Sequence, residues 1–102
     1  IEIQTGERVR LIGIDAPERD EPSYTESKNK LSDMLLNKEV HMEKDISNQD
    51  RYGRLLRYLW VENTLVNFEM VRQGYASVFT SPPDVKYSEY FFQAQQEAHN
   101  NQ

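Results

Sequence analysis

The sequence contains no cysteine, so it can form neither a disulfide framework nor a zinc site built from thiolates. It also has no apolar run that approaches the roughly 18 residues of a membrane-spanning helix, and we expect no membrane partner. Basic residues are outnumbered, with 12 Lys and Arg against 17 Asp and Glu, which gives a formal net charge of -5. This balance argues against a broad basic surface, so any polyanion must be bound by a local group of cations.

The signatures of several enzyme classes are missing as well. The two histidines, His41 and His99, are too few and too far apart in sequence to indicate a histidine-based metal cluster. The sequence contains neither a glycine-rich phosphate loop nor a G-x-S-x-G nucleophile elbow. Residues 45–50 lack the alternating acids and the central glycine of an EF-hand, so we predict a solvated loop there.

The length of 102 residues is enough for one hydrophobic core, and we predict a single domain over residues 1–102. Alternating and β-branched apolar residues predict strands, and apolar residues at helical spacing predict helices. The predicted strands cover residues 1–4, 9–14, 39–43 and 54–61, with a further extended segment over residues 75–80. The predicted helices run over residues 23–37, 65–73 and 87–100. This order of elements is typical of a β-rich α+β domain.

The first and last helices carry more specific signals. Ser23 and Glu26 have the spacing of a capping box, which predicts that the first helix begins there. The aromatic residues of the last helix, including Phe92, are predicted to pack against the domain rather than to present a surface for bases. The apolar stripe of that helix consists of Tyr87, Tyr90, Phe91, Ala94 and Ala98.

Two carboxylates follow the second predicted strand. Asp15 and Glu18 lie on either side of Ala16 and Pro17, so their side chains emerge from one tight turn. Oxygen-rich turns suit a hard cation such as Ca²⁺, which takes carboxylate, carbonyl and water ligands. The alternative is a solvated strand end, where the same residues are only turn composition.

Two arginines stand near these acids and near a second polar turn. Arg10 lies inside an apolar strand, where a cation needs an anionic partner, either a ligand or a neighbouring carboxylate. Arg54 begins the strand that follows Gly53, either as a ligand-binding cation or as a surface arginine. Tyr52 can bind a phosphate, stack on a base or pack in the core.

The two segments together resemble the paired motifs of the staphylococcal nuclease family. These segments are R-L-I-G-I-D-A-P-E over residues 10–18 and D-R-Y-G-R over residues 50–54. Residues 65–76 are similar to the second helix of that family, and residues 89–98 to its last helix. The resemblance spans nearly the whole chain in order, and it implies an OB-type Greek-key β-barrel with about three helices.

The resemblance also implies a function and assigns roles to residues. It implies a calcium-dependent phosphodiesterase that acts on DNA and RNA, single-stranded or frayed, and leaves 3′-phosphate ends. Asp15 and the carbonyl of Ala16 would bind Ca²⁺, with Glu18 joining them directly or through water. Glu18 would also be the general base, and the two catalytic arginines would be Arg10 and Arg54. Arg51 and Tyr52 would bind substrate, and a secreted or cell-surface bacterial protein is implied.

Two departures from the family pattern bear on these expectations. Ala16 replaces a threonine of the family, a mild change because the expected ligand is the backbone carbonyl. The family also has an earlier strand and a D-G-D-T-like turn with a further metal-binding aspartate before residues 1–4. We therefore expect an N-terminally incomplete domain whose exposed strand edge favours self-association. The alternative function is a non-catalytic nuclease-like module that binds nucleic acid or protein.

Overall fold

Six short strands and three helices follow one another in the computed structural model, which describes residues 6–100. The prediction of an α+β arrangement with three helices is confirmed. The predicted first strand, residues 1–4, lies outside the described residues. No helix among residues 6–100 has the length and apolar character needed to cross a membrane. In chain order the elements are β1 (Val9–Leu11), β2 (Ile14–Asp15), α1 (Tyr24–Leu35), β3 (His41–Glu43), β4 (Leu55–Val61), β5 (Thr64–Leu65), α2 (Val66–Arg72), β6 (Ser77–Val78) and α3 (Ser88–Asn100).

Strand β4 is the centre of the main sheet. β1 pairs with its first half in parallel, with Val9 opposite Leu55, and β3 pairs with its second half in the antiparallel sense. β5 continues from β4 through a tight turn, and β2 pairs separately with β6. Within residues 6–100 these pairings do not close into a barrel, and the Greek-key barrel stays a prediction.

The segment predicted as one strand over residues 9–14 is two strands. A turn at Ile12 and Gly13 separates β1 from β2, and Gly13 has a φ of +82°, which glycine adopts without strain. A Cβ atom on Gly13 would lie 2.4 Å from Cε2 of Phe91, so the backbone approaches the core closely here. The hydrophobicity pattern of the sequence does not reveal this turn, because Ile12 and Ile14, on either side of Gly13, are both buried.

Buried side chains from β1, β2 and the turn between them, together with those from β4, α2 and α3, form the core. Asn67 is buried among them, and its amide is satisfied by two backbone groups. Its Oδ1 accepts from the N–H of Leu59 at 3.0 Å, and its Nδ2 donates to the carbonyl of Ile12 at 2.9 Å. One side chain thus joins α2 to β4 and to the turn between β1 and β2. The largest fully buried side chains are Tyr58, Phe91, Leu59, Met70, Val66, Val71 and Asn67.

Two predictions about the helices are wrong in detail. Helix α1 begins at Tyr24 after Ser23, but the Ser23 side chain makes no capping hydrogen bond because its backbone, at φ -89° and ψ 3°, is not extended. In α3, Phe91, Ala94 and Ala98 are buried as predicted. Tyr90, however, is 58% exposed and Phe92 is 50% exposed, because the buried face of α3 is narrower than the apolar stripe in the sequence.

Candidate active site

Strand β1 and the turn before β4 bring the two predicted arginines to one cleft. In the parallel pairing of β1 with β4, Val9 lies opposite Leu55. Arg10 follows Val9 in β1, and Arg54 precedes Leu55, so the two arginines flank this pair of residues. The cleft has a volume of about 400 Å³. Its walls include five predicted site residues, namely Arg10, Asp15, Ala16, Glu18 and Arg54.

Arg10 is held mainly by backbone carbonyls. Its Nη1 donates to the carbonyl of Leu11 at 2.7 Å and to that of Ile14 at 2.6 Å. Its Nη2 lies 3.5 Å from Oδ1 of Asp15, which is a weaker contact. Burial lowers the pKa of Arg10, the charge of Asp15 raises it, and the charge of Arg54 lowers it again, with a net lowering. An arginine stays cationic under such a shift, so the cleft holds a fixed positive charge.

Arg54 is held by the carboxylate of Asp50. Arg54 Nε donates to Asp50 Oδ2 at 2.6 Å, a short charge-assisted hydrogen bond. The backbone N–H groups of Tyr52 and Arg54 both donate to Asp50 Oδ1 at 2.9 Å. Burial raises the pKa of Asp50, but the hydrogen bonds from Arg54 and Tyr52 outweigh burial and lower it. Asp50 was not among the predicted site residues, although its place four residues before Arg54 in D-R-Y-G-R was a usable signal.

The acidic turn lies at the exposed side of the cleft. Asp15 ends β2, and Glu18 follows two residues after Ala16. The backbone N–H of Glu18 donates to Oε1 of Glu21 at 3.0 Å, and the N–H of Glu21 donates to the Glu18 carbonyl at 2.9 Å. These two bonds fix the turn while leaving the Glu18 carboxylate exposed.

The oxygen atoms near this turn belong to carboxylates and a backbone carbonyl, which are the types of ligand that a hard cation prefers. They do not form a complete shell. Within residues 6–100, no group of three or more His, Cys, Asp or Glu side chains is placed to hold a metal ion. A Ca²⁺ ion takes about 6 to 8 oxygen ligands, so Asp15, Ala16 and Glu18 would leave most positions to water and substrate.

Tyr52 and Arg51 are outside the cleft wall. The Tyr52 side chain is 61% exposed, so the core-packing alternative for this residue is wrong. Its ring lies 5.0 Å from the guanidinium carbon of Arg51 and 5.5 Å from that of Arg54. An exposed aromatic ring with guanidinium groups beside it is the kind of surface that contacts nucleotides, through the ring, the cations or both.

Lys28 is a cleft residue that the sequence reasoning did not identify. It lies on α1, on the same face as Tyr24 and Leu31, and all three line the cleft. Their spacing of three and four residues was the available signal. Lys28 adds a third cation to a cleft that already contains two arginines.

Comparisons with known proteins point in one direction. Residues 8–102 match the family model described as "Staphylococcal nuclease homologue". The chain is 36% identical over 102 residues to a thermonuclease of Staphylococcus intermedius, covering 94% of this chain and 61% of that protein. It is 33% identical over 98 residues to a thermonuclease of Staphylococcus hyicus, covering 90% of this chain and 58% of that protein. A protein of Haemophilus influenzae named "Uncharacterized endonuclease" is 34% identical over 91 residues, with 89% of this chain and 48% of that protein covered.

Proposed function

The chain belongs to the staphylococcal nuclease homologue family, and from that premise we propose that it hydrolyses phosphodiester bonds in DNA and RNA. The observation that carries the proposal is a single cleft lined by two arginines and two carboxylates. The chain spans 61% and 58% of the two thermonucleases to which it is similar, so the activity of the whole protein is part of the proposal.

The two arginines would bind the substrate phosphate and stabilise the negative charge that develops on its oxygens during the reaction. A guanidinium presents a planar set of donors that matches two phosphate oxygens at once. Arg10 is fixed by two backbone carbonyls, and Arg54 is fixed through Nε, which leaves its two Nη groups unused by that contact. Donors that are already in place cost little reorganisation when negative charge develops on the phosphate oxygens.

Glu18 is the proposed general base. Its exposed carboxylate at the cleft can accept a proton from a water molecule as the water oxygen attacks phosphorus. The new P–O bond forms while the bond from phosphorus to the 5′ oxygen breaks. The departing 5′ oxygen takes up a proton from solvent, and Glu18 releases the proton it accepted to solvent. The products are one strand with a 3′-phosphate and one with a 5′-hydroxyl group.

We also propose that the reaction depends on Ca²⁺. Asp15 and the Ala16 carbonyl would hold the ion, with Glu18 joining them directly or through water. Bound there, the ion would add positive charge beside the substrate phosphate. The exposed Tyr52 ring and Arg51 would contact an adjacent nucleotide, which supports a preference for single-stranded or frayed substrate because a duplex keeps its bases stacked.

The alternative is a module that binds nucleic acid without cleaving it. The incomplete set of metal ligands among residues 6–100 is the observation that favours it. Secretion or cell-surface location and self-association through a strand edge stay predictions.

A hydrolysis assay separates the two functions. Labelled single-stranded DNA, duplex DNA and RNA are each incubated with the chain in Ca²⁺, in Mg²⁺ and in a chelator, and the product ends are identified. We expect cleavage in Ca²⁺, fastest on the single strands, with 3′-phosphate ends. Binding without cleavage in every cation would support the non-catalytic module. Cleavage that persists in the chelator would contradict the calcium proposal.

A further inference from the structure

The two arginines of the cleft are oriented by different means. Arg10 is held by two backbone carbonyls, and its contact with Asp15 is long at 3.5 Å. The hydrogen bond that holds the Arg54 guanidinium is made with a side chain, since its Nε donates to Asp50 Oδ2 at 2.6 Å, and the Tyr52 ring lies 5.5 Å from its guanidinium carbon. Arg54 therefore depends on another residue's chemistry in a way that Arg10 does not.

Asp50 divides its two carboxylate oxygens between two tasks. Oδ1 accepts the backbone N–H groups of Tyr52 and Arg54, which shapes the turn, and Oδ2 accepts Nε of Arg54. The turn also has backbone bonds of its own. The N–H of Asp50 donates to the Arg54 carbonyl at 2.9 Å, and the N–H of Gly53 donates to the Asp50 carbonyl at 3.1 Å. The turn thus has support that does not require the carboxylate, whereas the guanidinium contact does require it.

We propose that Asp50 is a positioning residue of the phosphodiesterase site, which holds the Arg54 guanidinium by Nε so that both Nη groups face substrate phosphate. This inference rests on the proposed function and adds to it a residue that touches neither phosphate nor metal. The bond to Nε is the geometry that achieves this, because a carboxylate bound to the Nη edge would compete with phosphate for the same donors. A half-buried carboxylate that is already paired with Arg54 also leaves Arg54 fewer rotamers to lose when substrate binds.

Asp50→Asn is the informative variant. The amide keeps one oxygen for the backbone N–H groups, but its nitrogen is a donor and cannot accept from Nε. The Glu69→Gln variant is a matched control. Glu69 pairs with Arg72 at 2.7 Å, three residues apart, and the side-chain exposures of this pair (19% and 38%) are close to those of Asp50 and Arg54 (16% and 35%). Glu69 does not line the cleft.

Steady-state hydrolysis of single-stranded DNA in Ca²⁺ is measured for both variants, for Arg54→Ala and for the double variant Asp50→Asn with Arg54→Ala. We expect Asp50→Asn to lower kcat by about 10- to 100-fold with a small change in KM, as for residues that orient a catalytic group. Glu69→Gln should stay within about 2-fold of wild type. In the Arg54→Ala background, Asp50→Asn should have almost no further effect, because the group it positions is gone. Equal losses in both backgrounds, or a faster Asp50→Asn variant, would overturn the proposal.

A measurement that does not depend on catalysis tests the role of Asp50 even if the chain does not cleave nucleic acid. The ¹⁵N–¹H resonance of Arg54 Nε, assigned by its absence in Arg54→Lys, reports the contact directly. We expect the proton on Arg54 Nε to exchange slowly with water in the wild type and rapidly in Asp50→Asn. The thermal unfolding midpoint of Asp50→Asn should be close to that of Glu69→Gln. Unchanged exchange in Asp50→Asn would refute the positioning role. Absence of cleavage by the wild type would refute the proposed function instead.

Discussion

A single methyl group added at Gly13 should destabilise this fold. Gly13 stands between β1, which carries Arg10, and β2, which carries Asp15, with a φ of +82°. A Cβ atom added there would lie 2.4 Å from Cε2 and 2.6 Å from Cδ2 of Phe91. Phe91 is 1% exposed and belongs to the core, so its ring can move only by displacing buried neighbours.

The cost of Gly13→Ala has two separable parts. A left-handed backbone costs an alanine about 1–2 kcal/mol relative to glycine. Overpacking a dense core by one methyl group costs about 1–3 kcal/mol more. Together they amount to about 2–5 kcal/mol, a large share of the roughly 5–15 kcal/mol that stabilises a domain. For a domain of this size each 1 kcal/mol lowers the melting temperature by about 4–8 °C.

Gly53→Ala carries only the first part, the backbone cost, so comparing it with Gly13→Ala isolates the overpacking. Gly53 has a φ of +81°, but nothing lies within 4 Å of its added Cβ, so only the backbone cost applies. We expect thermal melts to place Gly13→Ala at least about 4 °C below Gly53→Ala, from the overpacking alone. Replacing Phe91 by Leu should weaken the effect of Gly13→Ala, because the clashing ring atoms are removed. Equal melting temperatures for the two glycine variants would show that an added methyl group at Gly13 does not overpack the core against Phe91.

Two further substitutions test the site and the electrostatics of the fold. Arg54→Lys should lower the rate of hydrolysis by about 10²-fold or more, because lysine lacks both the planar donor set and the Nε contact with Asp50; initial rates near wild type would contradict this. Glu43 should make stability depend on acid pH: burial raises its pKa, but hydrogen bonds from Lys86, Trp60 and Tyr87 outweigh burial and lower it below 4.5. A lowered folded-state pKa means that this stabilisation is present above about pH 4.5 and is lost as pH falls through the folded-state value. Urea unfolding at several pH values should therefore show a shallower pH dependence for Glu43→Gln, and an unchanged slope would exclude this role.

The apolar pattern was sufficient to place most elements. Strands β3 and β4 and all three helices lie within two residues of their predicted ends, because amphipathic spacing and turn residues mark them clearly. The turn at Gly13 was missed because a positive φ leaves no trace in an apolar run flanked by buried residues. The capping role of Ser23 failed for a similar reason, since spacing does not determine the backbone angles of the cap residue.

The sequence predicted the arginines and acids that line the candidate site, because they lie in two recognisable motifs. It did not predict that Asp50 is the hydrogen-bond partner of Arg54. Which carboxylate meets a guanidinium depends on the path of the turn and on side-chain rotamers, and Asp50 is positioned for it by hydrogen bonds that form only in the folded turn. Lys28 was missed because its place in the cleft depends on how α1 packs in the folded domain, where its main neighbour is α2. The OB-type architecture is supported by family membership, and closure of the barrel stays a prediction.

The most direct test of the proposed phosphodiesterase site is the rate of calcium-dependent hydrolysis of single-stranded DNA by Glu18→Gln, compared with the rate of Glu26→Gln. Both changes neutralise one exposed glutamate near the start of α1, but only Glu18 lines the cleft. We predict a loss in kcat of about 10² to 10⁴-fold for Glu18→Gln with substrate binding largely kept, as expected for a lost general base. Glu26→Gln should retain the wild-type rate. Equal rates for the two variants, or equal losses of binding and turnover in Glu18→Gln, would contradict the assignment of Glu18 as the base of a phosphodiesterase site.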